Sequence, residues 1–170
     1  MTLEELNHLP DAEAAQALRA CCGAHRWVNG MLERRPFRSV DDALAAADDI
    51  WSSLGEPDWL EAFSHHPRIG ERRAAVTQDA RGSQWSSSEQ DDVARSAEAT
   101  RDALAEINRA YEEKFGHIYL VCASGKSADE LLAIARRRLH NDPAHERRVA
   151  ADEQRQITRL RLIKLLTAAA

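Results

Sequence analysis

Ser39-Val40-Asp41-Asp42-Ala43-Leu44-Ala45-Ala46-Ala47-Asp48-Asp49-Ile50-Trp51-Ser52-Ser53-Leu54-Gly55 is the stretch that decides the fold class. Val40, Leu44, Ala47, Trp51 and Leu54 recur at alternating spacings of four and three, which places them on one face of a helix. Ser39 and Asp42 supply the polar groups a helix start favours, and Gly55 supplies the stop.

The same pattern extends outward in both directions. Thr2 and Glu5 form a capping box for a short helix closed by Pro10. Asp11 is expected to cap a second helix with Ala15, Leu18 and Cys22 on its apolar face, ending at Gly23. A third carries Trp27, Val28, Met31 and Leu32 and is stopped by Pro36. Pro57 sits in the first turn of a fifth, through Trp59, Leu60 and Phe63. From Gly70 to Trp85 the periodicity lapses into an expected polar loop. Ser86-Ser87-Ser88-Glu89 restarts a helix expected to reach Phe115, where Gly116 stops it. Ser127 with Glu130 caps the next, through Leu131, Leu132, Ala135 and Leu139. After the Asn141-Asp142-Pro143 turn, a long helix is expected over about residues 144–166. Ile118-Tyr119-Leu120-Val121-Cys122 is a continuous β-prone run, but it has no visible partner strand and is expected to be a buried extended segment. The reading is an all-α, single-domain bundle of about eight helices over residues 1–170.

Composition narrows the function classes. With 44% hydrophobic and 30% charged residues and only seven Gly, a folded chain is expected. A net charge of −5 argues against a general nucleic-acid or anionic-membrane surface. Arg136-Arg137-Arg138 is read as the cationic last turn of a helix. Cys21, Cys22 and Cys122 form no CxxC pair, which suits a reducing compartment and offers no zinc framework. No apolar run reaches spanning length and the first residues are acidic, so a soluble, cytoplasmic protein is expected.

Three places offer chemistry. In Ser64-His65-His66-Pro67-Arg68-Ile69-Gly70 a proline stops a helix just after two imidazoles; a polar helix end capping its last carbonyls accounts for this without a ligand. Glu89 completes a capping box with Ser86, a role compatible with facing a ligand at the same helix start. On the last helix, with Ile157 as origin, Arg161 falls about 40° away, at the edge of the apolar stripe, and Arg159 about 200° away. A snorkelling or salt-bridged arginine is the more common explanation of Arg161, but a guanidinium gripping an anion inside the fold is Arg161 before Arg159. Ser124-Gly125-Lys126-Ser127 lacks the first glycine of a phosphate loop and a preceding βαβ unit, so nucleotide binding is set aside. The histidines have no metal-ligand spacing, and no metal is expected.

Taken together, Ser64 to Gly70, Ser86-x-x-Glu89-Gln90, and Phe115-Gly116-His117-Ile118-Tyr119-Leu120-Val121-Cys122-Ala123-Ser124-Gly125-Lys126-Ser127 resemble the 2-oxo-4-hydroxy-4-carboxy-5-ureidoimidazoline (OHCU) decarboxylases, which complete the conversion of urate to allantoin. Asn108-x-x-Tyr111-x-x-Lys114-Phe115-Gly116, Arg26-Trp27 with Pro36-Phe37, and Glu153-x-x-x-Ile157-Thr158-x-Leu160-Arg161-Leu162 extend the resemblance over nearly the whole chain. It implies a cofactor-independent carboxy-lyase, a helical homodimer without metal, with OHCU as substrate. By position, His66, Glu89 and Arg161 are the implied catalytic residues. Pro67, Ser86, Ser87, Ser88, Glu89, Gln90 and the backbone of Tyr119, Leu120, Val121, Cys122 and Ala123 are implied to line the substrate pocket. His117 and Tyr119 stand where many members carry Phe, implying a more polar rim. No fused transthyretin-like domain or peroxisomal signal is seen, which implies a standalone, bacterial-type form. The rival readings are a helical regulator, disfavoured by the absence of a basic recognition helix, and a lyase acting on another ureido acid.

Overall fold

The helix starts written into the sequence appear largely where capping chemistry puts them. The computed structural model describes residues 1–69 and 98–167, and among these there are eight helices and no strand. They are α1 (Leu3–His8), α2 (Asp11–Cys21), α3 (His25–Glu33), α4 (Val40–Ser53), α5 (Glu56–Ser64), α6 (Glu98–Phe115), α7 (Ala128–Arg138) and α8 (Pro143–Thr167). Thr2–Glu5 and Ser127–Glu130 close reciprocal capping boxes, and Ser39 accepts from the Asp42 amide. Gly116, at φ 72°, ends α6 in the left-handed conformation that glycine adopts without Cβ strain.

Two expectations need correction. Asp11 is not the cap of α2: Pro10 occupies that position, and the Asp11 carboxylate pairs with Arg35 at 2.5 Å. Leu18 and Cys22 are buried as expected, but Ala15 is only half-buried, and the buried face of α2 runs instead through Ala14, Ala17, Leu18, Ala20 and Cys21. The expected loop over residues 70–85 and the helix start at Ser86 lie outside the described residues.

The chain forms two compact units. The first comprises Met1–His65 and the chain from Arg155 onward; the second comprises His66–Gln154. α8 therefore contributes to both. The first unit buries Leu6, Leu18, Trp27, Met31, Phe63 and Leu162, and the Trp27 indole donates to the Ala47 carbonyl at 3.1 Å. In the second, α6, α7 and the segment after Gly116 enclose Leu104, Tyr111, Tyr119, Val121 and Leu131. Burial of such side chains contributes about 1.5–3 kcal/mol each.

Candidate functional site

His65 and His66 fall at the division between the units, and their surroundings differ. α5 ends at Ser64, and His65 is its C-cap, with its amide donating to Ala62. The His65 ring lies against Gly23, where a Cβ would overlap the imidazole, so only glycine permits this approach. Burial pushes the His65 pKa below the usual histidine value; Glu61 opposes the shift, and His25 and Arg19 add to it. Glu61 is held in turn by the His25 amide at 3.0 Å and the His25 ring.

His66 opens the second unit half-buried, and the residues following it are tied to α6. The Asn108 amide donates to the Ile69 carbonyl at 2.6 Å, and the Arg68 guanidinium pairs with Glu112, with Nη2 to Oε2 at 2.8 Å. Asn108 and Glu112 are four residues apart on one helix face. Their grip fixes the turn that carries His66 and Pro67.

Residues 117–123 form neither helix nor strand, and Tyr119, Leu120, Val121, Cys122 and Ala123 are all buried. Side chains take the place of a partner strand here. Arg138 Nη1 donates to the Leu120 carbonyl at 2.8 Å. Glu153 accepts from the Cys122 amide at 2.8 Å, and Lys126 donates to the Cys122 carbonyl at 2.7 Å. The Tyr119 hydroxyl donates to the Leu131 carbonyl at 3.0 Å, so its polar group is engaged within the core. His117 is also buried, with Nδ1 3.0 Å from the Ile118 carbonyl oxygen.

Behind this segment lies a buried polar cluster that sequence reasoning missed. All three arginines fall in the last turn of α7 as expected, but Arg138, unlike the exposed Arg136 and Arg137, is buried. Its Nε donates to Glu146 Oε1 at 2.7 Å and its Nη2 to the Tyr111 hydroxyl at 3.2 Å. Tyr111 donates onward to Glu146, and Asn141 donates to Glu146 Oε2 at 2.6 Å. The guanidinium also sits 5.1 Å from the centroid of the Tyr119 ring. The available signal was Glu146, four residues before Ala150 on the apolar stripe of α8, a carboxylate where an apolar side chain is expected.

Arg161 belongs to the first unit and is 4% exposed, whereas the Arg159 side chain is 38% exposed and pairs with Asp48 at 2.5 Å. Arg161 lies close enough to Cys22 for its charge to favour the thiolate, yet burial dominates and pushes the Cys22 thiol up to about 12. Ser86, Ser87, Ser88, Glu89 and Gln90 lie outside the described residues. Among the described residues, no group of three or more His, Cys, Asp or Glu gathers at metal-binding distance, and no helix is long and apolar enough to cross a membrane.

The OHCU decarboxylase family model matches residues 7–163. This chain belongs to the OHCU decarboxylase family. Its members are carboxy-lyases by name, and relatives bear the name in full. The 2-oxo-4-hydroxy-4-carboxy-5-ureidoimidazoline decarboxylase of Haloferax volcanii is 29% identical over 95% of this chain and 94% of its own length. The uric acid degradation bifunctional protein TTL of Arabidopsis thaliana is 35% identical over 88% of this chain, which spans only 46% of that protein. A crystal structure of OHCU decarboxylase in the presence of (S)-allantoin has a TM-score of 0.76 and 34% identity, covering 89% of this chain and 98% of that one. A crystal structure of (S)-allantoin synthase, at a TM-score of 0.72 and 17% identity, shares the fold. The all-helical reading and the family resemblance drawn from the three stretches therefore hold.

Proposed function

We propose that the chain converts OHCU to (S)-allantoin and CO2, with His66 as proton donor and Glu89 and Arg161 orienting the substrate. The observation that carries this reading is the likeness to the OHCU decarboxylase crystal structure with (S)-allantoin, over nearly the whole of both chains. Both units are read as one family domain, because the family match runs through each. Homodimeric assembly and a cytoplasmic setting belong to the same reading.

The chemistry asks for orientation, charge stabilisation and one proton. The bond from the ring carbon to the carboxylate breaks, CO2 leaves, and the electron pair is taken up by the ring and its oxygens. A proton delivered to one face of that carbon sets the hand of allantoin. A rigid helix end suits that delivery, because His66 is followed by Pro67 and by residues clasped to α6. In this reading Glu89 holds a ring or ureido N–H and favours the protonated imidazole. Arg161 grips a carbonyl or ureido oxygen. Pro67, Ser86 to Gln90 and the backbone of Tyr119 to Ala123 complete the pocket.

The test is circular dichroism on OHCU made in situ from urate by uricase and hydroxyisourate hydrolase. OHCU decays unaided to racemic allantoin. Faster loss with a lasting (S)-allantoin signal supports the reading. Unchanged decay to a racemate with folded protein refutes it and favours another ureido acid.

A further inference from the structure

Three side chains converge on three successive peptide groups of a segment that belongs to no sheet. Arg138 holds the Leu120 carbonyl, Glu153 the Cys122 amide and Lys126 the Cys122 carbonyl, at 2.7 to 2.8 Å. We infer that Arg138, Glu153 and Lys126 are positioning residues, which fix the direction of the backbone dipoles over residues 119–123 and thereby set affinity for a ureido-bearing ligand. The inference rests on the reading above, in which that backbone lines the substrate pocket.

The arrangement is costly for mere packing. Arg138 and Glu146 are both buried, and apolar side chains of similar volume would fill the same space without desolvating two charges. What apolar side chains cannot do is hold a carbonyl. Residues 117–123 form no strand, and these donors and acceptors supply the hydrogen bonds that orient the buried Leu120 and Cys122 backbone groups. Glu146, Tyr111 and Asn141 fix the guanidinium, and the guanidinium fixes Leu120. Glu153 faces the same guanidinium at 3.9 Å, so the two anchors are electrostatically joined. Lys126, in a stretch resembling the end of a phosphate loop, has its ammonium committed to a carbonyl one turn back.

Substitution of Arg138 leaves Glu146 buried without its cation and threatens the fold, so Glu153 and Lys126, both part-exposed, carry the test. Peptide groups that bind a ligand equally before and during reaction act on KM more than on kcat. Glu153→Ala is therefore expected to raise KM for OHCU about tenfold, with kcat within about threefold of wild type and a thermal midpoint lowered by the loss of one buried hydrogen bond, which Glu153→Gln restores. Glu153→Gln retains an oxygen to accept from Cys122 and should restore KM to within about threefold. Lys126→Met should raise KM in the same sense. Amide hydrogen exchange at Cys122 should quicken in Glu153→Ala and return to the wild-type rate in Glu153→Gln.

An active wild type with KM unchanged in Glu153→Ala and Lys126→Met overturns the inference alone. So does a Gln variant as impaired as the Ala variant, or a loss confined to kcat. An inactive wild type overturns the proposed function and this inference together, and the exchange rates then report a clasp of structural use only.

Discussion

Arg138 and Glu146 meet in the second unit with Nε 2.7 Å from Oε1, one from the last turn of α7 and the other from the first turn of α8. Both side chains are buried, and each has further partners: Leu120 and Tyr111 for the arginine, Tyr111 and Asn141 for the carboxylate. The pair joins two helices and the segment between α6 and α7 at one point. Breaking one side strands the other.

Glu146→Ala should therefore cost about 3–5 kcal/mol of stability, the range for removing one partner of a buried ion pair. The double variant Arg138→Met/Glu146→Leu should recover much of this, falling short by about 1–3 kcal/mol for the Leu120 carbonyl and Tyr111 hydroxyl left behind. Urea unfolding of the two variants decides the point. A single variant within about 1 kcal/mol of wild type would mean the pair is solvated.

His117 makes stability depend on pH. Burial lowers its pKa below the usual 6.5; the Ile118 carbonyl and Glu146 oppose this, and Arg138 and Arg147 reinforce it. The unfolded chain then binds more protons than the folded one below that value, so stability is full above about pH 6.5 and declines as the pH falls through it. His65 acts in the same direction. The thermal midpoint should drop between about pH 7 and pH 5, and His117→Phe should flatten part of that slope. An unchanged slope in His117→Phe removes this residue as a cause.

The buried Cys22 thiol, pushed up to about 12, should be inert toward a disulfide reagent in the folded protein at neutral pH. Cys21 and Cys122 are also buried. All three should react together on unfolding in denaturant, and rapid modification of any one in the native state would contradict the observed burial.

Periodicity and capping made most of the described helices legible, because Ser39, Ser127 and Thr2 act within one turn of themselves. The start of α2 was misread because Asp11 is drawn to Arg35, a residue distant in sequence. Arg136-Arg137-Arg138 is the cationic last turn of its helix as read, but the burial of Arg138 was not legible, because Tyr111 and Glu146 are brought to it only by the fold. The spacing on α8 separated Arg161 from Arg159 correctly, since a helix face depends on the sequence alone once the helix is granted. His66 and Arg161 were recognisable as candidates only through agreement among distant stretches, because a His-Pro pair and a stripe-edge arginine each have ordinary structural explanations.

If His66 delivers the proton, His66→Gln should keep hydrogen-bonding capacity and lose turnover. A fall in kcat of about 10²- to 10⁴-fold is expected for loss of a general acid, with an unchanged thermal midpoint. Stopped-flow circular dichroism on OHCU reads both the rate and the hand of the product. Near-normal turnover in His66→Gln and His66→Ala would remove His66 from the mechanism.

The two arginines of α8 give the sharpest contrast. Arg159 forms an exposed-side pair with Asp48, of a kind that contributes about 0–1 kcal/mol, and Lys can replace its charge. Arg161 is almost wholly buried, and there a planar fork is not interchangeable with a point charge on a flexible stem. Arg161→Lys should lower kcat/KM by about tenfold or more, and Arg159→Lys by less than about threefold. Because a buried arginine also packs, the thermal midpoint of each variant must be read beside the kinetics. A loss of kcat/KM in Arg161→Lys at an unchanged midpoint assigns the guanidinium to the substrate. Equal effects from the two substitutions would show that burial on this helix face does not distinguish the ligand-gripping residue.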